Sequence, residues 1–167
     1  MVERSYLEQF QPSLEDIKRH LRVTSDDLND TLKLYLRAAI ESAEKHIGKV
    51  IAVSEFTYSG WFVRSFDMLG PFRKVVSVAV DDRKLESDDY TIERRTLIIH
   101  PEITGERLTV IYEAGYSQVP FDMKAAILLT AAKFFNNPVD SVESLPSVAK
   151  NLLRPYRTWG IEDGSDC

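Results

Sequence analysis

The residues that could do chemistry in this 167-residue chain are three histidines, one cysteine and several adjacent acidic pairs. His20, His46 and His100 fall in three different elements, and none has a second ligand at metal-binding spacing. Cys167 is the last residue, and at a terminus expected to be mobile it is a poor nucleophile candidate. Glycine-rich phosphate loops are missing, because the 7 glycines form neither GxGxxG nor the Walker pattern. Ser59-Gly60 and Gly115-Tyr116-Ser117 do not make a nucleophile elbow. The acidic pairs Asp26-Asp27, Asp81-Asp82 and Asp88-Asp89 sit at turn signals, where aspartate caps backbone N–H groups. None continues into the alternating ligands and closing glutamate of a calcium loop. The pattern predicts no catalytic residue, no metal site and no cofactor.

Binding chemistry has more support. Arg154, Tyr156, Arg157 and Trp159 surround Pro155 within six positions. Arginine, tyrosine and tryptophan are the types that dominate interface energetics. Two readings follow: the segment docks a partner, or its aromatic rings fold back onto the chain's own helices. Arg94-Arg95 forms a second, weaker basic signal in a tight turn between two strands.

Composition narrows the class. Hydrophobic residues make up 44% and charged residues 28%, as in an ordinary globular protein. The net charge of −5 and pI of about 5.3 argue against a general nucleic-acid binder. A single cysteine cannot form an internal disulfide. No apolar run has membrane-spanning length, and MVERSYLEQF lacks a signal-peptide core.

The elements that must carry these residues change character twice. Ser13 with Asp16 resembles a capping box ahead of Leu14, Ile17 and Leu21 at helical spacing. A long helix follows over Leu28–Ile47, with Leu28, Leu32, Tyr35, Leu36, Ala39, Ala43 and Ile47 as its apolar stripe and Gly48 as its stop. At ~1.5 Å per residue it would span about 30 Å. Lys33, Arg37, Glu41 and Glu44 lie on its other faces and form the candidate self-assembly face. From Val50 to Glu113, β-branched and aromatic residues predict strands near Ser54–Ser59, Trp61–Met68, Lys74–Val80, Tyr90–Glu93, Thr96–His100 and Arg107–Glu113. Their short spacing predicts antiparallel neighbours. Leu108–Glu113 then breaks at Gly115 and passes through Val119-Pro120 into a mostly apolar helix over Phe121–Phe135, stopped by Asn136-Asn137-Pro138. A polar loop, Val139–Ser144, precedes a last helix from Pro146 to about Leu153. The predicted fold class is α+β. Helices from 13–48 and 119–157 pack as a small bundle, with an antiparallel β insert over 50–113 between the second and third main helices. The expectation is one domain over 1–167 with a mobile acidic tail at 160–167.

The order and wording of these elements resemble the head–tail connector family of tailed bacteriophages, also called head-completion or adaptor proteins. The resemblance rests on LEDIKRHLRV with LNDTLKLYLRAAIESAEKHIG, on YTIERRTLIIHP with LTVIYEAGYSQVPFDMKAAILLTAAKFF, and on LPSVAKNLLRPYR. Together these reach from Leu14 to Arg157. The chain departs at Asn136-Asn137-Pro138, where relatives carry a charged helix end, and its β insert is longer than in compact members. The resemblance implies a structural virion protein and no enzyme. Copies would form a ring below the portal at the capsid vertex, after assembly in the host cytoplasm. The ring would extend the DNA channel and meet a downstream head-closure or tail-joining protein, with DNA passing unbound and no membrane involved. The rival classes are a monomeric protein-binding module using the β lobe and a small enzyme with a scattered site.

Overall fold

The computed structural model describes residues 1–7, 11–137 and 145–158. The elements are β1 (Val2–Tyr6), α1 (Leu14–Leu21), α2 (Asn29–Ile47), β2 (Ser54–Trp61), β3 (Ser65–Asp67), β4 (Phe72–Val80), β5 (Arg83–Lys84), β6 (Tyr90–Glu93), β7 (Thr96–Ile99), β8 (Arg107–Ala114), α3 (Phe121–Asn136) and α4 (Ser147–Leu153). The chain has an α+β fold with every strand pairing antiparallel. Contacts divide it into a β unit, Met1–Glu8 with Ala52–Ser117, and a helical unit, Gln9–Ile51 with Gln118–Cys167.

In the β unit, alternation along β8 decides the arrangement. Leu108, Val110, Tyr112 and Ala114 are buried, while Thr109, Ile111 and Glu113 on the other face are only half-buried. β8 is paired on both sides, by β2 and by β4, within a five-stranded sheet of order β1-β2-β8-β4-β5. A three-stranded sheet, β3-β7-β6, makes the second layer. Aromatic rings join the layers. Phe66 of β3 lies 4.5 Å from Tyr58 and 6.2 Å from Tyr112, and Tyr112 stacks on Phe56 at 5.5 Å. Leu97 and Ile99 of β7 are also buried.

Three details differ from the sequence reading. The N-terminal residues form β1, paired along β2 from Val2↔Tyr58 to Tyr6↔Ser54, which the sequence reading left without structure. The strand expected over Trp61–Met68 is divided: Trp61 ends β2, Phe62 donates its N–H to the Glu106 carbonyl at 2.8 Å, and only Ser65–Asp67 forms β3. The two-residue β5 was not expected either, although its Asp81-Asp82 turn was. Both aspartates take positive φ there, 48° and 65°.

In the helical unit, Ser13 accepts the Asp16 N–H at 3.2 Å while the Asp16 carboxylate accepts the Ser13 N–H at 2.9 Å. That reciprocal cap satisfies two orphan donors of α1. The bond from the Ser13 backbone also holds the Asp16 carboxyl below the usual aspartate range. The stripe of α2 is buried at Leu32, Leu36, Ala39, Ile40, Ala43 and Ile47, and Gly48 closes the helix at φ 71°. Met123, Ala126, Ile127, Thr130 and Ala131 of α3 are buried, and no residue from Asp122 to Phe135 is fully exposed. Tyr35 of α2 meets Phe134 and Phe135 of α3, each at 6.5 Å. α1 packs on α2 and α3, and α4 packs on α3 and α2. Among the described residues, no helix is long and apolar enough to cross a membrane.

Candidate assembly surfaces

The outer side of α2 carries three of the four residues expected on a self-assembly face. Lys33 and Arg37 are exposed and Glu41 is half-buried. Arg37 Nε lies 3.1 Å from Glu41 Oε1, and Lys33 Nζ lies 3.5 Å from Asp30. Exposed helical pairs of this type contribute only a few tenths of a kcal/mol. Glu44 does something else: its Oε1 accepts the Ile51 N–H at 2.7 Å and so secures the turn after α2. Leu34, absent from the sequence reading, sits among the charged residues and is 63% exposed. It is out of phase with the buried stripe at Leu32 and Leu36, and that mismatch was the signal available in the sequence.

The segment after α4 is held at two points. Arg154–Tyr156 forms a 3₁₀ turn. The Tyr156 hydroxyl donates to the Asp122 carboxylate, with its oxygens at 2.7 and 2.9 Å. Thr158 donates both its N–H, at 2.9 Å, and its hydroxyl, at 3.0 Å, to the Ile47 carbonyl at the end of α2. Tyr156 therefore folds back on its own helices, as one of the two sequence readings had it. Arg154 and Arg157 are exposed on the same segment. Trp159 and the expected acidic tail 160–167 lie outside the described residues, as do residues 139–144 of the polar loop.

A positive cluster forms beside this clamp. His46 is held below the usual histidine range, first by burial and then by the charges of Arg157 and Lys150. The unfolded chain therefore binds a proton here more readily than the folded one. Stability from the neutral ring is present above pH ~6.5 and is lost as pH falls through that value towards the lower folded pKa. Replacing His46 with Gln should flatten this part of a stability-against-pH curve, measured by urea unfolding between about pH 5 and 8.

The residues weighed for chemistry are spread out and locally occupied. His20 is exposed on α1, and His100 Nε2 lies 3.0 Å from Thr91 Oγ1 in the β unit. The Asp81 carboxylate accepts the N–H groups of Glu106 and Arg107, and Asp89 accepts that of Glu86. Asp26 pairs with Lys18 at 2.6 Å. Among the described residues, no group of three or more His, Cys, Asp or Glu could hold a metal ion.

Residues 11–71, from the α1 cap to the start of β4, match the model of the family described as "Phage gp6-like head-tail connector protein". The match to that family is confined to this first part of the chain. The likeness in fold runs over nearly the whole length. A chain in the neck of a native gene transfer agent particle computed with C12 symmetry superposes with a TM-score of 0.75 at 20% identity, covering 98% of each chain. One in the neck of an empty particle computed with C6 symmetry gives 0.73 at 20% identity, covering 97% of this chain and 98% of that one. One in the virion of the native agent gives 0.71 at 19% identity, covering 96% and 98%. At these identities the solved structures speak for the fold alone. No curated protein sequence matches the chain.

Proposed function

We propose that the chain is a structural head–tail connector of a phage or phage-like particle. Copies form a ring in the neck below the portal, extend the DNA channel and receive a downstream head-closure or tail-joining protein. The observation that carries this reading is the connector signature over residues 11–71, within a fold shared almost end to end with neck chains. The symmetry of those neck structures supports a rotational ring, and head-to-tail contacts close into rings when the rotation allows. The role is structural, requiring no reaction and no cofactor. Charge supports passage over grip: a net −5 leaves no excess of cations to neutralise phosphates along a passing duplex. The self-assembly residues are Lys33, Arg37 and Glu41 around Leu34. The docking residues are Arg154 and Arg157, with Trp159 beyond them.

Removing the gene from a particle-producing strain tests the role. DNA-filled heads without tails should accumulate, and the wild-type gene supplied in trans should restore tailed particles. Normal yields of tailed particles in its absence would overturn the proposal.

A further inference from the structure

A head-to-tail ring needs two different surfaces on one chain that fit each other. One stands at the end of the β unit where β2 stops and β8 begins. Trp61 and Arg107 pair directly there across the two strands. With Met1, Gly60 and Glu106 they line an open cavity of about 480 Å³. Trp61 is 79% exposed. Backbone bonds fix the rim: Phe62 donates its N–H to the Glu106 carbonyl at 2.8 Å, and the Asp81 carboxylate accepts the N–H groups of Glu106 and Arg107. Glu106 and Arg107 are themselves exposed, so the cavity has one charge of each sign at its mouth.

The second surface is a knob on the helical unit. Phe121 opens α3 and is 86% exposed, while Met123, Ala126 and Ile127 just after it are buried. The first turn presents it rigidly: Lys124 donates its N–H to the Pro120 carbonyl at 2.9 Å, and the Asp122 carboxylate accepts the Met123 N–H at 2.9 Å. The Lys124 ammonium lies 5.9 Å from the centre of the Phe121 side-chain ring. We infer that Phe121 of one copy enters the Trp61 cavity of the next copy around the neck. This inference rests on the connector reading above. Size fits, since cavities of several hundred Å³ take groups larger than one phenyl ring. Chemistry fits, since aromatic pairs prefer edge or offset contacts, which an open cavity with the indole on its wall allows. Charge fits in both senses, with Lys124 facing Glu106 and Asp122 facing Arg107. A buried aromatic anchor inside a polar rim is the form that interface hot spots take. Knob and cavity are different surfaces, so each copy uses one on either side and the contact repeats around a ring instead of closing as a pair.

The test uses whole particles carrying Glu106→Cys and Lys124→Cys together, in a Cys167→Ser background, treated with a short bismaleimide and run on a denaturing gel. The expected result is a ladder of covalent multimers from the double variant and only monomer from either single variant. Imaging of the same particles shows whether the neck ring is present. A neck ring without a ladder overturns the contact and leaves the ring standing. Dimers from either single variant show a two-fold contact and also overturn it. If the double variant builds no neck ring, Phe121→Ala decides. Its melting temperature should stay within a few degrees of wild type, because the side chain is exposed, and its neck ring should be lost. A neck ring that survives Phe121→Ala, or a collapse in melting temperature, overturns the contact. Absence of a neck ring from wild-type particles removes the connector reading, and the contact with it.

Discussion

Gly115→Ala should destabilise the protein by about 3–5 kcal/mol, among the largest effects a single methyl group can have. Gly115 has φ of 125°, a conformation that residues with a Cβ rarely adopt. An added Cβ would also stand 2.7 Å from Val53 Cα, 2.8 Å from Val53 N and 2.9 Å from the Ala52 carbonyl carbon. These are backbone atoms, so no rotamer change relieves the overlap. The Gly115 N–H is already committed to the Pro71 carbonyl at 2.8 Å, which limits any shift of the turn. Conformational strain alone costs roughly 1–3 kcal/mol, and displacing paired backbone adds to it. For a chain of this size the melting temperature should fall by about 10 °C. An unchanged melting temperature would mean that Ala52-Val53 and Gly115 do not pack as described.

The second large effect separates holding from docking in the exit segment. Tyr156→Phe removes a hydroxyl donating to the Asp122 carboxylate, a charge-assisted bond whose loss costs about 1.5–3 kcal/mol. Its effect should appear in the melting temperature. Arg154→Ala with Arg157→Ala removes two exposed guanidinium groups and should leave the melting temperature within a few degrees. If the arginines contact the neck partner, the double variant should bind the portal about thirtyfold more weakly or worse, corresponding to roughly 2 kcal/mol. Surface plasmon resonance on immobilised portal measures that ratio. Unchanged binding would move the docking surface elsewhere, and a collapse in melting temperature would make the arginines structural.

Local chemistry was legible in the sequence; long-range pairing was not. Ser13 and Asp16 announced their cap, and Gly48 its helix end, because both depend on neighbours a few residues away. The stripe of α2 followed from helical period, apart from Ile40, which widens it. β1 escaped because an edge strand lies half in water: Glu3, Arg4 and Ser5 dilute the apolar alternation that marks inner strands. The pairing of β2 with β8 joins residues on opposite sides of the intervening strands, and no local pattern encodes it. The segment after α4 was half legible. Its residue types were visible, whereas Thr158 reaching Ile47 and Tyr156 reaching Asp122 are contacts over 111 and 34 positions. Glu44 looked like a free helical carboxylate until the turn after Gly48 placed the Ile51 N–H in front of it.

The most direct measurement is electron microscopy of purified portal rings mixed with the full chain, viewed end-on and from the side. The account predicts an additional rotationally symmetric ring on one face of the portal, coaxial with its channel. Portal particles that gain no such density, under conditions where both proteins are folded and in excess, would contradict it.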